Sequence, residues 1–127
     1  MSDEVVYDAA VLVAADRNDR RAWAEHRFLL QAGVVPLVPA PVLAQVSCSG
    51  RQAQLRRFLR GCIVVPLDEP TAHAAGRLLG TAGTADVVDA CVVIVAMRMR
   101  ARIVTGDPED IEALVAASGS LLTVVPR

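Results

Sequence analysis

The run Val5-Val6-Tyr7-Asp8-Ala9-Ala10-Val11-Leu12-Val13-Ala14-Ala15-Asp16-Arg17 changes character in its middle, and that change points to the fold class. Val5–Tyr7 is β-branched and aromatic and predicts a short strand ending at Asp8; the alanine-rich apolar run behind it predicts a helix from about Ala10. A strand that runs straight into a helix is the unit of a parallel sheet, whose neighbouring strands need crossover connections. The same unit returns at residues 102–111, RIVTGDPEDI, where Arg102–Thr105 predicts a strand. Asp107-Pro108 then opens a helix, since Asp caps and Pro suits the first helical position. Between these lie a strand at Val34–Val38, before a helix opened by Pro39 and Pro41 that carries Gln45, and a strand at Ile63–Val65, before a helix from Thr71 to about Leu79. Further helices are expected at Arg20–Gln31, with Asp19 as N-cap and Gly33 as stop, at Arg51–Arg60, stopped by Gly61, and at Val87–Arg100. The last of these is the most apolar and should be the most buried. Gly80–Thr84 is a small-residue loop, and Leu121–Val125 supplies a fifth strand. The alternation predicts a three-layer α/β/α domain over residues 1–127 with a central parallel sheet of four to five strands.

Composition narrows the function classes. The chain has 127 residues, enough for one core, and is 54% hydrophobic with a mean hydropathy of +0.41. No apolar run reaches the roughly 18–20 residues of a bilayer span; the longest, Ala90–Met97, is broken at Arg98 and Arg100. The start, MSDEVVYD, lacks the basic segment of a signal peptide, so a cytoplasmic protein without membrane contact is expected. The apolar excess then belongs to a doubly covered sheet or a subunit interface. Cys48, Cys62 and Cys91 show no metal-ligand spacing and are expected to be reduced and mostly buried. The net charge of -1 does not announce a nucleic-acid binder, and all 13 basic residues are arginine.

In open parallel sheets, ligands bind beyond the carboxyl ends of the strands. Asp8, Asp68, Glu69 and Asp107 follow predicted strands, and Asp86 and Asp89 begin the apolar helix one turn apart. Each has a structural reading. Asp8, Asp86 and Asp107 suit helix caps, and Asp89 favours a helix's first turn. Taken together, three such sites would gather carboxylates at one sheet edge, where they repel and raise one another's pKa. A hard divalent cation, Mg²⁺ or Mn²⁺, relieves that repulsion and can activate water toward a phosphodiester. Phospho-acceptor and dehalogenase-type phosphatase chemistry both need a lysine beside the aspartate, and the chain has none. No Gly-rich phosphate loop is present either.

Four segments in this order, VVYDAAVLVAADR (5–17), VPAPVLAQV (38–46), TADVVDACVVIVA (84–96) and RIVTGDPEDI (102–111), resemble the PIN domain, and within it the VapC-type toxins of bacterial toxin–antitoxin pairs. The resemblance covers almost the whole chain. It implies a metal-dependent endoribonuclease with Asp8, Asp89 and Asp107 as catalytic and Mg²⁺- or Mn²⁺-binding acids. Asp86 is then an extra acid that helps or caps, and Thr105 orients the carboxylates or a metal water. The second family position departs: where a glutamate is expected, Gln45 stands, which can accept a hydrogen bond or ligate a metal but brings no charge. Glu69 or Asp86 would have to compensate; otherwise the chain is a catalytically weakened binding partner. The resemblance further implies a homodimer, an RNA substrate and a cognate antitoxin whose tail enters the acidic groove.

Arg51, Arg56, Arg57 and Arg60 mark one helix. They form either a solvated face or, as the resemblance favours, a contact for RNA phosphates or an acidic antitoxin segment. Arg98, Arg100 and Arg102 suit the C-terminal dipole of the apolar helix. Trp23, Phe28 and Leu29 are expected in core or interface packing, His26 and His73 at the surface or against a partner, and Cys91 as a buried small side chain.

Overall fold

The computed structural model describes residues 4–127, so the acidic start of the chain lies outside the described residues. Five short strands, β1 (Val5–Tyr7), β2 (Leu37–Pro39), β3 (Ile63–Val65), β4 (Arg102–Thr105) and β5 (Val124–Pro126), form one sheet in the order β3-β2-β1-β4-β5. Every pairing is parallel. Seven helices cover it among the described residues: α1 (Ala9–Asp16), α2 (Arg20–Gln31), α3 (Ala40–Val46), α4 (Ala53–Leu59), α5 (Glu69–Ala82), α6 (Val87–Met99) and α7 (Pro108–Ser118). Helices α1, α2 and α4 group on one face and α5, α6 and α7 on the other, with α3 touching both α1 and α6. This is the three-layer α/β/α, PIN-like architecture that the strand–helix alternation implied.

The sheet is buried at its centre, where both faces are covered, so its central strand carries no polar alternation. Val5, Val6 and Tyr7 are all buried. Helix α6 runs across β1, β2 and β4 and buries every residue from Ala90 to Ala96, which is why that segment is apolar all round. On the opposite face Phe58 is fully buried at the centre of an aromatic cluster. It stacks on His26 at 3.8 Å between ring centroids and meets Trp23 edge-on at 5.1 Å.

Several boundaries differ from the sequence expectation, each for a local reason. Gly33 adopts a left-handed φ of +81° and the Val34 amide bonds back to the Leu29 carbonyl, so Val34 finishes α2 and β2 begins only at Leu37. Arg51 lies in the turn before α4, which starts at Ala53. Helix α5 continues through Gly80 to Ala82 and stops at Gly83, whose φ of +73° ends it. The fifth strand is displaced toward the C-terminus, because Val124 and Val125 are the residues that pair with Ile103 and Val104. No single helix among the described residues is long and apolar enough to cross a membrane.

The aromatic cluster sets a stability test. Phe58→Ala removes a fully buried ring that three other rings pack against, and should cost about 3–5 kcal/mol of unfolding free energy, read from the urea midpoint at unchanged m-value.

Candidate active site

The parallel register of β1 with β4 places Tyr7 opposite Val104, so Asp8 and Thr105 leave the sheet side by side. The Asp8 amide donates to the Val104 carbonyl at 3.1 Å, extending the ladder by one step. The Asp8 carboxylate is then held at both oxygens. Oδ1 accepts from the Ala10 amide at 2.9 Å, capping α1, and Oδ2 accepts from the hydroxyl of fully buried Thr105. The same Thr105 oxygen accepts the Asp107 amide at 2.9 Å. One threonine therefore ties the ends of β1 and β4 together and orients two acidic residues. Gly106 makes the approach possible, since a Cβ there would lie 2.6 Å from that of Ala10.

Helix α6 brings two more acids. Asp86 caps it by accepting the Asp89 amide at 3.0 Å, and Asp89 follows in the first turn. Asp107 occupies the cap position of α7, but its side chain does not bond the helix, so the cap reading fails there and its carboxylate is left for other contacts. Asp8, Asp86, Asp89 and Asp107 line one cleft of about 370 Å³ with Gln45, over a floor that includes Val13, Val46 and Val88. Asp8 is buried, Asp89 half-buried, and Asp86, Asp107 and Gln45 exposed at the rim.

Crowding changes the acidity of these groups. Burial, followed by the charges of Asp86, Asp8, Asp107 and Asp110, pushes Asp89 up to about 7. Burial also raises Asp8, and wins over the hydrogen bonds from Thr105, Ala10 and Gly106 that favour its charged form, with Asp107 adding to the rise. Asp110 was not anticipated from the sequence; its spacing of three from Asp107, on the face of one helix, is the signal that would have found it. No basic side chain lines the cleft. Among the described residues no three His, Cys, Asp or Glu side chains stand close enough to hold an ion as they are placed. The donor set is nonetheless all oxygen, carries four carboxylates without a balancing cation, and so has the chemistry of a site for a hard divalent ion.

Other expected residues lie elsewhere. Asp68 caps α5 and sits 3.8 Å from Arg98, at the end of α6 opposite Asp89, roughly 13 Å away along the helix axis. Glu69 is exposed and pairs with His73 at 3.2 Å, so it lines no part of the cleft and does not stand in for a glutamate at 45. His26, expected at the surface, is buried and bonded through Nδ1 to the Tyr7 hydroxyl at 3.0 Å, with burial lowering its pKa. Trp23 packs in the core and donates its indole N–H to the Ala15 carbonyl at 3.1 Å, whereas Phe28 is 70% exposed. Cys91 is buried, Cys62 half-buried and Cys48 exposed. The four arginines divide. All four are exposed, but Arg57 lies over the Trp23 ring at 4.8 Å and Arg56 donates to the Gly50 carbonyl at 2.7 Å. Two further grooves, of about 410 and 570 Å³, are lined mainly by apolar residues and gather no cluster of ionisable groups.

With fold and site in hand, the chain can be set beside known proteins. No family model matches it, and no curated protein does. Solved structures do. A chain of VapBC2 from Rickettsia felis, crystallised with a DNA fragment from the promoter, superposes with a TM-score of 0.75 at 17% identity, over 98% of this chain and 98% of that one. A chain of FitAcB from Neisseria gonorrhoeae superposes with a TM-score of 0.66 at 15% identity, over 95% of this chain and 96% of that one. At these identities the likeness is one of fold, and it agrees with the PIN-type, VapC-like resemblance carried by the four sequence segments.

The raised pKa of Asp89 fixes the sign of a stability change with pH. The folded state holds this proton up to about pH 7, while the unfolded chain releases it near 4. Metal-free protein should therefore lose stability as pH rises from about 4 to 7. Asp89→Asn should flatten that part of the curve, measured as Tm against pH in EDTA.

Proposed function

We propose that this protein is the toxin member of a toxin–antitoxin pair and acts as a metal-dependent endoribonuclease at the Asp8–Asp89–Asp107 cleft. The observation that carries the proposal is the convergence of four carboxylates at the carboxyl edge of a parallel sheet, beyond β1 and β4 on either side of no intervening strand. Sheets of this kind bind ligands at that edge. Asp8, Asp89 and Asp107 would hold Mg²⁺ or Mn²⁺, with Asp86 and Gln45 at the margin. Bound there, the ion supplies Lewis acidity toward water and the phosphodiester.

The protein's own groups do the rest. Thr105 fixes the Asp8 carboxylate by its hydroxyl and the Asp107 backbone by its oxygen, so the two acids keep one relative orientation. Asp89, pushed up to about 7 by burial and by its acidic neighbours while the cleft is empty, would give up its proton on taking part in holding the ion. In the hydrolysis the water oxygen would bond to phosphorus as the bond to the leaving ribose oxygen breaks, the proton lost by the water passing to solvent and the leaving oxygen taking one from solvent. The apolar floor of Val13, Val46 and Val88 limits water beneath the acids and strengthens their interactions.

The partner reading is supported by the structural neighbours, both of which are toxin–antitoxin complexes. A cognate antitoxin and an RNA substrate accordingly belong to the proposal. So does a homodimer, for which the exposed apolar groove of Val35, Ile63, Val64 and Met99 along the edge strand offers surface. The second reading, a binding protein weakened in catalysis, rests on the neutral Gln45 at the cleft rim.

Cleavage of total RNA with Mn²⁺ separates the two. Wild type should cut, Asp8→Ala should fall to background, and Thr105→Val should lose about 10–100-fold, as expected for a residue that only orients ligands. Gln45→Glu should lower the Mn²⁺ concentration needed for half-maximal rate. Cleavage that appears only in Gln45→Glu overturns the enzyme reading in favour of the binding protein.

A further inference from the structure

A second polar pocket, of about 370 Å³, lies where the turn after α1 and helix α2 meet α4, lined by Asn18, Arg20, Trp23, Ala24, Arg27 and Arg57. Its construction is specific. Arg20, Trp23 and Arg27 fall on one face of α2 by their spacing of three and four. Trp23 is anchored from below by its indole N–H on the Ala15 carbonyl and by Phe58 edge-on. Its other contribution is to seat the Arg57 guanidinium, which lies 4.8 Å over the ring and reaches the pocket from a different helix. The indole thus fixes an arginine rather than offering a face for a base.

Three guanidinium groups converge here with no acid among the lining residues. None of them enters the ion pairs seen among the described residues. The acids on neighbouring turns are already engaged: Asp16 accepts from Gln52, Asp19 caps α2 and meets Arg127, and Glu25 pairs with Arg21. The pocket is therefore a net positive site, and guanidinium forks match phosphate oxygens.

Its position relates it to the cleft. Asp8 caps the N-terminal end of α1, and Asn18 lies just beyond that helix's C-terminal end, so the two sites stand on the order of 15 Å apart along it. A polyanion brought to four carboxylates needs positive charge nearby to be retained, and an extended strand spans this distance in a few nucleotides.

We propose that the Arg20–Arg27–Arg57 pocket binds a backbone phosphate of single-stranded RNA outside the cleaved linkage and anchors the substrate across α1. The proposal rests on the nuclease reading for its substrate, but its test does not depend on cleavage. A fluorescein-labelled, 2′-O-methylated oligouridine is titrated in EDTA against wild type, Arg20→Gln/Arg27→Gln and Asp8→Asn, by anisotropy over a range of salt. Both arginines are exposed, so the double variant should melt as wild type does.

The double variant should bind about 10-fold more weakly, with a salt slope shallower by about 0.7, one phosphate contact on a single strand. Asp8→Asn should bind at least as tightly as wild type while losing cleavage. Equal affinity and slope in wild type and double variant overturn the proposal, as does failure of wild type to bind the oligonucleotide. It is likewise overturned if the double variant keeps the oligonucleotide but loses a polyglutamate peptide, which would make the pocket a protein contact. If the double variant binds weakly while wild type cuts no RNA, the pocket stands and the nuclease reading falls.

Discussion

Four carboxylates share one small cleft, and much of the surrounding structure bears their mutual repulsion. Asp8 cannot move away, because the Ala10 amide and the Thr105 hydroxyl grip its two oxygens. Asp89 cannot move away either, because it sits in the first turn of a helix whose next seven residues are buried. Burial first, and the neighbouring charges after it, therefore favour protonation over displacement, and together they push Asp89 up to about 7. A fold that spends stability to hold like charges together needs rigid supports, and the doubly covered sheet supplies them. Local violation of otherwise consistent packing marks functional sites in general.

Thr105 is the support on which most turns. It is fully buried, it ends β4, and its single hydroxyl serves as donor to one acid and acceptor for the backbone of another. The arrangement works only if β1 and β4 are adjacent and parallel in the register observed, and only if residue 106 has no side chain to collide with α1. Strand order, register and one glycine thus converge on a pair of carboxylates. The same adjacency places the site where the chain's strand order reverses, on either side of β1.

The legible part of this protein is the local part. Strand-to-helix switches at Asp8 and at Asp107 and the acidic start of the helix at Asp86 and Asp89 are written within a few residues, and so the architecture and the four cleft acids could be read from the chain. Boundaries moved where a neighbour decided the outcome. Val34 reads as strand but is taken by the end of α2, and Gly80 reads as a break but stays helical until Gly83 turns left-handed. Asp68 looked equivalent to Asp8 because both follow strands, yet the connection after β3 carries it to the far end of α6 beside Arg98. His26 lies in an arginine-rich helix, and nothing within that helix announces Tyr7 and Phe58, the partners that bury it. The arginine pocket was hidden for the same reason. Arg57 was visible as one of a run on α4, but Arg20 and Arg27 join it only through the packing around Trp23.

Gln45 gains a different meaning from the cleft. A glutamate there would have made five carboxylates around one small space, since Asp86 also faces it. With the amide, the cleft holds four. Asp86 is not free to adopt any geometry, because it caps α6 through the Asp89 amide, yet that bond engages one oxygen and ties it directly to the acid whose protonation is most perturbed. The two acids on α6 are thereby linked by one hydrogen bond, and Gln45 lies exposed at the opening.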